Sequence, residues 1–249
     1  MPINRDGRDK PGHDRIQNSI MMPSIIIPVL NEAASIEGFL AALTPLRQAG
    51  AEVIVVDGGS TDDTAALAHP LADRIVTAPR GRGSQMNAGA AVAKGGVLLF
   101  LHSDTRLPAA ADRLISDGLT KSKRAWGRFD IAIEGHHWFL PVIAIMINLR
   151  SRLTGIATGD QATFVTRAAF DQVGGFPDIP LMEDVALARK LKTLSRPFCL
   201  TERVTTSGRR WEKNGVLRTI LLMWRLRLSY YLGADPAKLA RRYGYVPRA

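Results

Sequence analysis

Apolar positions along this chain fall into short, nearly continuous runs separated by longer amphipathic stretches. "SIIIPV" (24–29), "EVIVVD" (52–57), "RIVTA" (74–78) and "VLLFLH" (97–102) are the runs. Four to six consecutive apolar residues with no polar alternation suit a strand covered on both faces, as in a parallel sheet. The stretches between them predict helices over 33–49, with Asn31 as its cap, over 63–68 and over 83–93. Strand and helix alternate, which predicts βαβ units. In open sheets of that kind ligands bind beyond the carboxyl ends of the strands.

Polar residues follow each predicted strand. "PVLNEAAS" follows the first, "VVDGGSTDDT" the second, "APRGRGSQMNAGA" the third and "HSDTRLP" the fourth. Together they bring Asn31, Glu32, Asp57, Arg80, Arg82, Gln85, Asn87 and Asp104 to one rim. Gly81 and Gly83 invite comparison with a dinucleotide-binding fingerprint, but Met86 stands where its third glycine belongs, so that motif fails.

Composition narrows the class. The chain has 249 residues and 46% hydrophobic content, enough for one large α/β domain. Its single cysteine, Cys199, excludes an intramolecular disulfide framework and a cysteine zinc site, and a reducing cytoplasm is the expected setting. No apolar run reaches the roughly 18–20 residues of a membrane span. Residues 1–21 carry charges, Gly and Pro without periodicity and are expected to be a disordered extension, with Met21 and Met22 as alternative starts. Adjacent His136 and His137 point to opposite faces of a strand and are expected to be structural.

Net charge is +10, and from Arg203 onward eleven basic residues face two acidic ones. Such a tail serves nucleic acid, an anionic membrane surface or an anionic ligand. Two apolar stretches, "WFLPVIAIMINLRSRL" (138–153) and "GVLRTILLMWRLRLSYYLG" (215–233), are too short or too arginine-broken to span a bilayer. Either can lie in a membrane interface, or pack on the sheet with its arginines snorkelling outward.

The order "IIIPVLNEAASI", "VIVVDGGSTDDT", "GRGSQMNAGA", "LLFLHSDT" and "LMEDVALARKL" resembles the family 2 glycosyltransferases over about residues 24–211. The resemblance implies a GT-A type fold, Rossmann-like and mostly parallel, over 22–212, followed by a basic amphipathic helical region over 213–249. It implies inverting transfer of a sugar from a nucleotide-diphosphate donor to a hydroxyl acceptor, here a lipid or lipid-linked sugar if the C-terminal region meets an anionic membrane at its inner face. Nucleic acid is not an expected partner. The competing readings are a nucleotidyltransferase, for which the glycine- and lysine-bearing motif after the first strand is missing, and a non-catalytic nucleic-acid- or membrane-binding protein.

Site residues follow from the resemblance, each beside a plainer role. Pro28, Asn31, Glu32, Asp57, Arg80, Gln85, Asn87, Ser103 and Asp104 form the nucleotide-sugar side. Asp57 reads the base or caps the next helix; Arg80 and Arg82 face the diphosphate or belong to a solvated basic loop. Asp104 is the expected ligand of a divalent Mg²⁺ or Mn²⁺. His102 occupies the first position of the family's Asp-x-Asp motif, and strand alternation would point it the same way as Asp104. Asp184 is the expected base and Glu183 its orienting neighbour, although acids at a helix start are comfortable without function. Asp160 and Gln161 contact sugar or acceptor, or start a strand. In "SGRRWEKNG", Arg210 and Trp211 match the Arg-Trp of a motif of processive relatives whose glutamine is Ser207 here, so processivity is not expected.

Overall fold

The computed structural model describes residues 22–245. The expectation of a disordered extension over 1–21 lies outside those residues. Eight strands form one sheet: β1 (Pro23–Val29), β2 (Glu52–Asp57), β3 (Arg74–Thr77), β4 (Val97–Phe100), β5 (Thr105–Arg106), β6 (Trp126–Glu134), β7 (Phe164–Thr166) and β8 (Phe198–Ser207). Their order is β3-β2-β1-β4-β7-β6-β8-β5. β3, β2, β1 and β4 run parallel, β7 lies antiparallel between β4 and β6, and β8 runs parallel to β6. The first four strands are those the apolar runs predict. β5, β6 and β8 were not read from the sequence, because their polar residues break the runs.

Both faces of the sheet are covered, which is why its strands lack polar alternation. Ile25, Ile27, Val53, Val55 and Leu99 point into one core; Ile26, Ile54, Val56, Leu98 and Phe100 point into the other. The first core is closed by α1 (Ile36–Ala41), α2 (Thr44–Gln48), α3 (Thr64–Ala68), α5 (Ala111–Ser122) and α6 (Leu140–Thr154). The second is closed by α4 (Arg82–Val92), α7 (Arg167–Gln172) and α8 (Glu183–Leu191). α4 lies so close that a Cβ on Gly89 would sit 2.5 Å from Ile26 Cγ2, so only glycine allows this approach. α9 (Arg209–Asn214), α10 (Val216–Tyr231) and α11 (Pro236–Tyr243) complete the described chain. Met182, ahead of α8, packs with Leu226 of α10 and Leu239 of α11, which seats the C-terminal helices beside the strand-end rim.

Three local expectations are corrected. The helix predicted over 33–49 is two, α1 and α2, because Pro45 lacks the N–H that a continuous helix would need there. Asn31 is no helix cap: its φ of 54° is left-handed, and it turns the chain out of β1. β4 stops at Phe100, and a turn in which Thr105 N–H donates to His102 O carries His102 and Asp104, so turn geometry rather than strand alternation orients them.

Candidate active site

The ends of β1 and β2 are tied into one polar web. Asn31 N–H donates to Ser60 Oγ at 2.9 Å, and Thr61 N–H returns a bond to Asn31 Oδ1 at 2.8 Å. Glu32 N–H donates to Thr64 Oγ1, while its carboxylate accepts from Ser35 Oγ. Asp57 is buried, and both its oxygens accept from Ser60 N–H at 3.1 Å. Pro28, half-buried in β1 opposite Val56, sits two residues beyond the β1–β4 register.

Two residues expected on the nucleotide side are committed elsewhere. The buried Gln85 amide donates to Val29 O at 2.9 Å and Val56 O at 2.8 Å, and its oxygen accepts from Gly81 N–H. It clamps the two strand ends to α4. Asn87 exchanges two bonds with the Phe176 backbone, donating to its carbonyl at 2.9 Å and accepting its N–H at 3.0 Å. Asn87, if turned to a ligand, would leave the Phe176 N–H and carbonyl without these partners, and Gln85 would give up three bonds that tie the strand ends to α4.

A cleft of about 670 Å³ opens beside this web, between α6, α8, α10 and the turn after β4. Asp104, Asp160, Glu183, Asp184, Arg210 and Trp211 line it, together with Arg82 and His102, which the sequence places at the rim, and Arg150 and Arg227, which it does not single out. Pro28, Asn31, Glu32, Asp57, Arg80, Gln85, Asn87, Ser103 and Gln161 lie outside its wall. Arg82 rather than Arg80 therefore faces the acids; Arg80 lies over the Tyr245 ring at 5.2 Å. Gln161 is fully buried, its oxygen accepting from Thr158 N–H and Oγ1 in a capping box while its Nε2 has no hydrogen-bond partner.

The acids sit in unlike surroundings. Asp184 Oδ2 accepts from Gly159 N–H at 2.8 Å and Oδ1 from Val185 N–H at 2.7 Å. Both are charge-assisted bonds that hold the carboxylate at the start of α8. Glu183 is buried; burial, then the charge of Asp184, pushes it up to about 7, against the pull of Arg82. Asp104 is exposed at the cleft mouth, with Thr105 Oγ1 donating to it at 3.3 Å. His102 keeps some surface exposure, but its ring is enclosed. Burial, then Arg82, pushes it down to about 3, so it is neutral near pH 7.

Cations are present as well. Arg210 stacks on Tyr243, its guanidinium carbon 3.7 Å from the ring centroid, and is lowered by burial and then Arg82. Trp211 both lines the cleft and packs on the first core. Arg150 presents buried Nε and Nη2, and Asp160 a buried Oδ1, without hydrogen-bond partners. Burial, then Arg227, lowers Arg150 to about 10. A helix arginine reads as solvated from sequence alone, and no signal there marked Arg150 as buried.

No cluster of three metal-ligating side chains occurs among the described residues. One exposed carboxylate, Asp104, beside a neutral imidazole fits a cation that arrives with a diphosphate and completes its shell with phosphate oxygens and water.

Residues 24–139 match the glycosyl transferase family 2 model. An uncharacterized glycosyltransferase of Mycobacterium tuberculosis is 36% identical over 117 residues, covering 46% of this chain and 51% of the relative. The glucosyl-3-phosphoglycerate synthase of the same organism is 33% identical over 91 residues, covering 32% and 28%. The matches span about half or less of these relatives' length. Among solved structures, that synthase in complex with Mn²⁺, UDP and glucosyl-3-phosphoglycerate superposes with a TM-score of 0.58 at 19% identity, covering 100% of this chain and 88% of that one. A mannosyltransferase from Pyrobaculum calidifontis in complex with GDP-Man and Mn²⁺ gives 0.59 at 20% identity, covering 90% and 69%. Identities this low establish the fold, which is of GT-A type.

Proposed function

We propose that the chain is a family 2 glycosyltransferase, the family whose model its residues 24–139 match, and that it moves a sugar, with inversion, from a nucleotide-diphosphate donor to a hydroxyl acceptor, in the cytoplasm and with a divalent cation. The observation that carries the reading is the convergence of Asp104, Glu183 and Asp184 on one cleft, from elements 79 residues apart at their nearest (Asp104 and Glu183).

The chemistry follows from the placement. Asp57, Asn31 and Glu32, held by backbone bonds at the β1 and β2 ends, form the rim for the nucleoside. Arg82, at the first position of α4, turns its guanidinium to the cleft, where the leaving diphosphate gathers charge. A bound Mg²⁺ or Mn²⁺ at Asp104 would neutralise part of that charge. As the acceptor oxygen attacks the anomeric carbon from the face opposite the departing diphosphate, its proton passes to Asp184. The Gly159 N–H fixes that carboxylate before the acceptor arrives. Glu183, protonated up to about pH 7, adds no second charge beside it below that pH. In the relatives whose structures are described above, UDP, GDP-Man and Mn²⁺ are bound, which supports a nucleotide sugar and a cation here.

The test is thermal stability against a panel of nucleoside diphosphates and nucleotide sugars, with and without Mn²⁺, for wild type and Asp104→Ala. A Mn²⁺-dependent rise with one nucleotide, lost in the variant, is expected. A folded protein that responds to none of the panel would end the transferase reading.

A further inference from the structure

The cleft has walls of opposite character. Acids form part of its wall, and Ile143, Met146 and Ile147 of α6 with Ile220, Met223 and Trp224 of α10 form another. A small polar acceptor has no use for six large apolar side chains.

The same two helices also turn apolar residues outward. On α6, Ile145, Leu149 and Leu153 recur every four residues and are 60%, 55% and 70% exposed. On α10, Leu217, Leu221, Trp224 and Leu228 recur at helical spacing and are 59–73% exposed. Soluble monomers rarely leave stripes of this size in water. Beside the α10 stripe, Arg218 and Arg225 are exposed one position further round, and Arg241 and Arg242 of α11 add to the charge. An apolar stripe edged by arginines is the composition of a helix lying in an anionic membrane interface. No helix among the described residues is long and apolar enough to cross a membrane, so contact would be with the surface.

Arg150 and Arg227 line the same cleft as the acids and the apolar side chains. No ion pair joins either to a carboxylate among the described residues. Arg150 keeps two buried nitrogens unpartnered, and its charge is opposed by Arg227 and Arg128 and favoured by Asp160 and Asp184. An anionic group between the guanidiniums of Arg150 and Arg227 would satisfy the nitrogens and offset the repulsion.

We infer that the acceptor is a lipid with an anionic, hydroxyl-bearing headgroup, taken from a bilayer on which α6 and α10 rest. Its charge sits between Arg150 and Arg227, its hydroxyl at Asp184, and its chain leaves along the apolar wall toward the membrane. This rests on the transferase reading, whose failure would be seen separately as an absent nucleotide response.

Three measurements test it. Flotation with phosphatidylcholine vesicles should rise about tenfold or more when phosphatidylglycerol is added, as a few surface arginines require. Leu149→Glu with Leu221→Glu, both outside the cleft, should lower flotation by a similar factor and leave the nucleotide-induced thermal shift unchanged. Short-chain phosphatidylglycerol below its micelle concentration should stabilise wild type but not Arg150→Gln, which should still float. Flotation indifferent to phosphatidylglycerol, with the nucleotide response intact, would overturn the inference. So would a dimer that the double variant splits, since a second copy would then cover the stripes. A lipid response unchanged in Arg150→Gln would overturn the headgroup assignment.

Discussion

Gly159 and Asp184 are joined by a 2.8 Å hydrogen bond from the glycine N–H to Oδ2, and the other side of that glycine is closed by the ring of His102. A Cβ at position 159 would lie 2.4 Å from His102 Cε1. Gly159→Ala must therefore push the ring or the loop. We expect a loss of about 1–3 kcal/mol in urea titrations and a fall in kcat as Asp184 loses its anchor. Adding His102→Ala, which vacates the space, should recover much of the stability. An alanine variant as stable and active as wild type would show that the loop is not held by this contact.

Asp184→Asn keeps the shape and removes the base. Turnover should drop about 10²–10⁴-fold with donor KM unchanged, because only the transition state needs the proton acceptor. Steady-state kinetics with the donor identified by the nucleotide panel decide it; a variant retaining wild-type kcat would move the base elsewhere.

Gln85→Leu removes a buried amide donor from Val56 O and from Val29 O, which keeps the Gly58 N–H at 3.0 Å. Losing these buried bonds costs about 1–3 kcal/mol in all, so denaturant unfolding should show that loss while nucleotide affinity of the folded variant holds. The reverse pattern, stability kept and affinity lost, would return Gln85 to the donor site.

Stability should depend on pH through two groups with opposite signs. His102 titrates near 3 in the fold against an ordinary 6.5, so the unfolded chain binds the extra proton and stability is lost as pH falls below 6.5. Glu183 titrates near 7 against 4.5, so the folded chain holds the extra proton and stability is lost as pH rises from 4.5 through 7. Melting temperature against pH in a chelator should lose its acid limb in His102→Gln and its neutral limb in Glu183→Gln. Profiles that superpose on wild type would mean that neither group is shifted.

The parallel half of the sheet was legible because β1, β2 and β4 are buried on both faces, and such burial writes a continuous apolar run into the chain. The cleft acids were legible as a pattern: Asp104 after β4, Glu183 and Asp184 opening α8. Other residues in the same polar motifs turned inward. Gln85, Asn87 and Gln161 carry amides that serve buried backbone as readily as a ligand, and residue type alone cannot distinguish the two.

Sequence by itself determined the strand–helix alternation, the rim of polar strand ends and the excess of positive charge in the last quarter of the chain. Only the tertiary structure decided that Arg82 lines the cleft with the acids while Arg80 lies over Tyr245, that two Arg150 nitrogens are buried without hydrogen-bond partners, and that α6 and α10 turn apolar side chains both into the cleft and out to solvent. The physical reason is one of range. Periodicity records whether a residue's own element is covered, whereas the partner of a side chain is set by which distant elements pack beside it, and Arg150 and Arg227 interact across 76 residues of intervening chain.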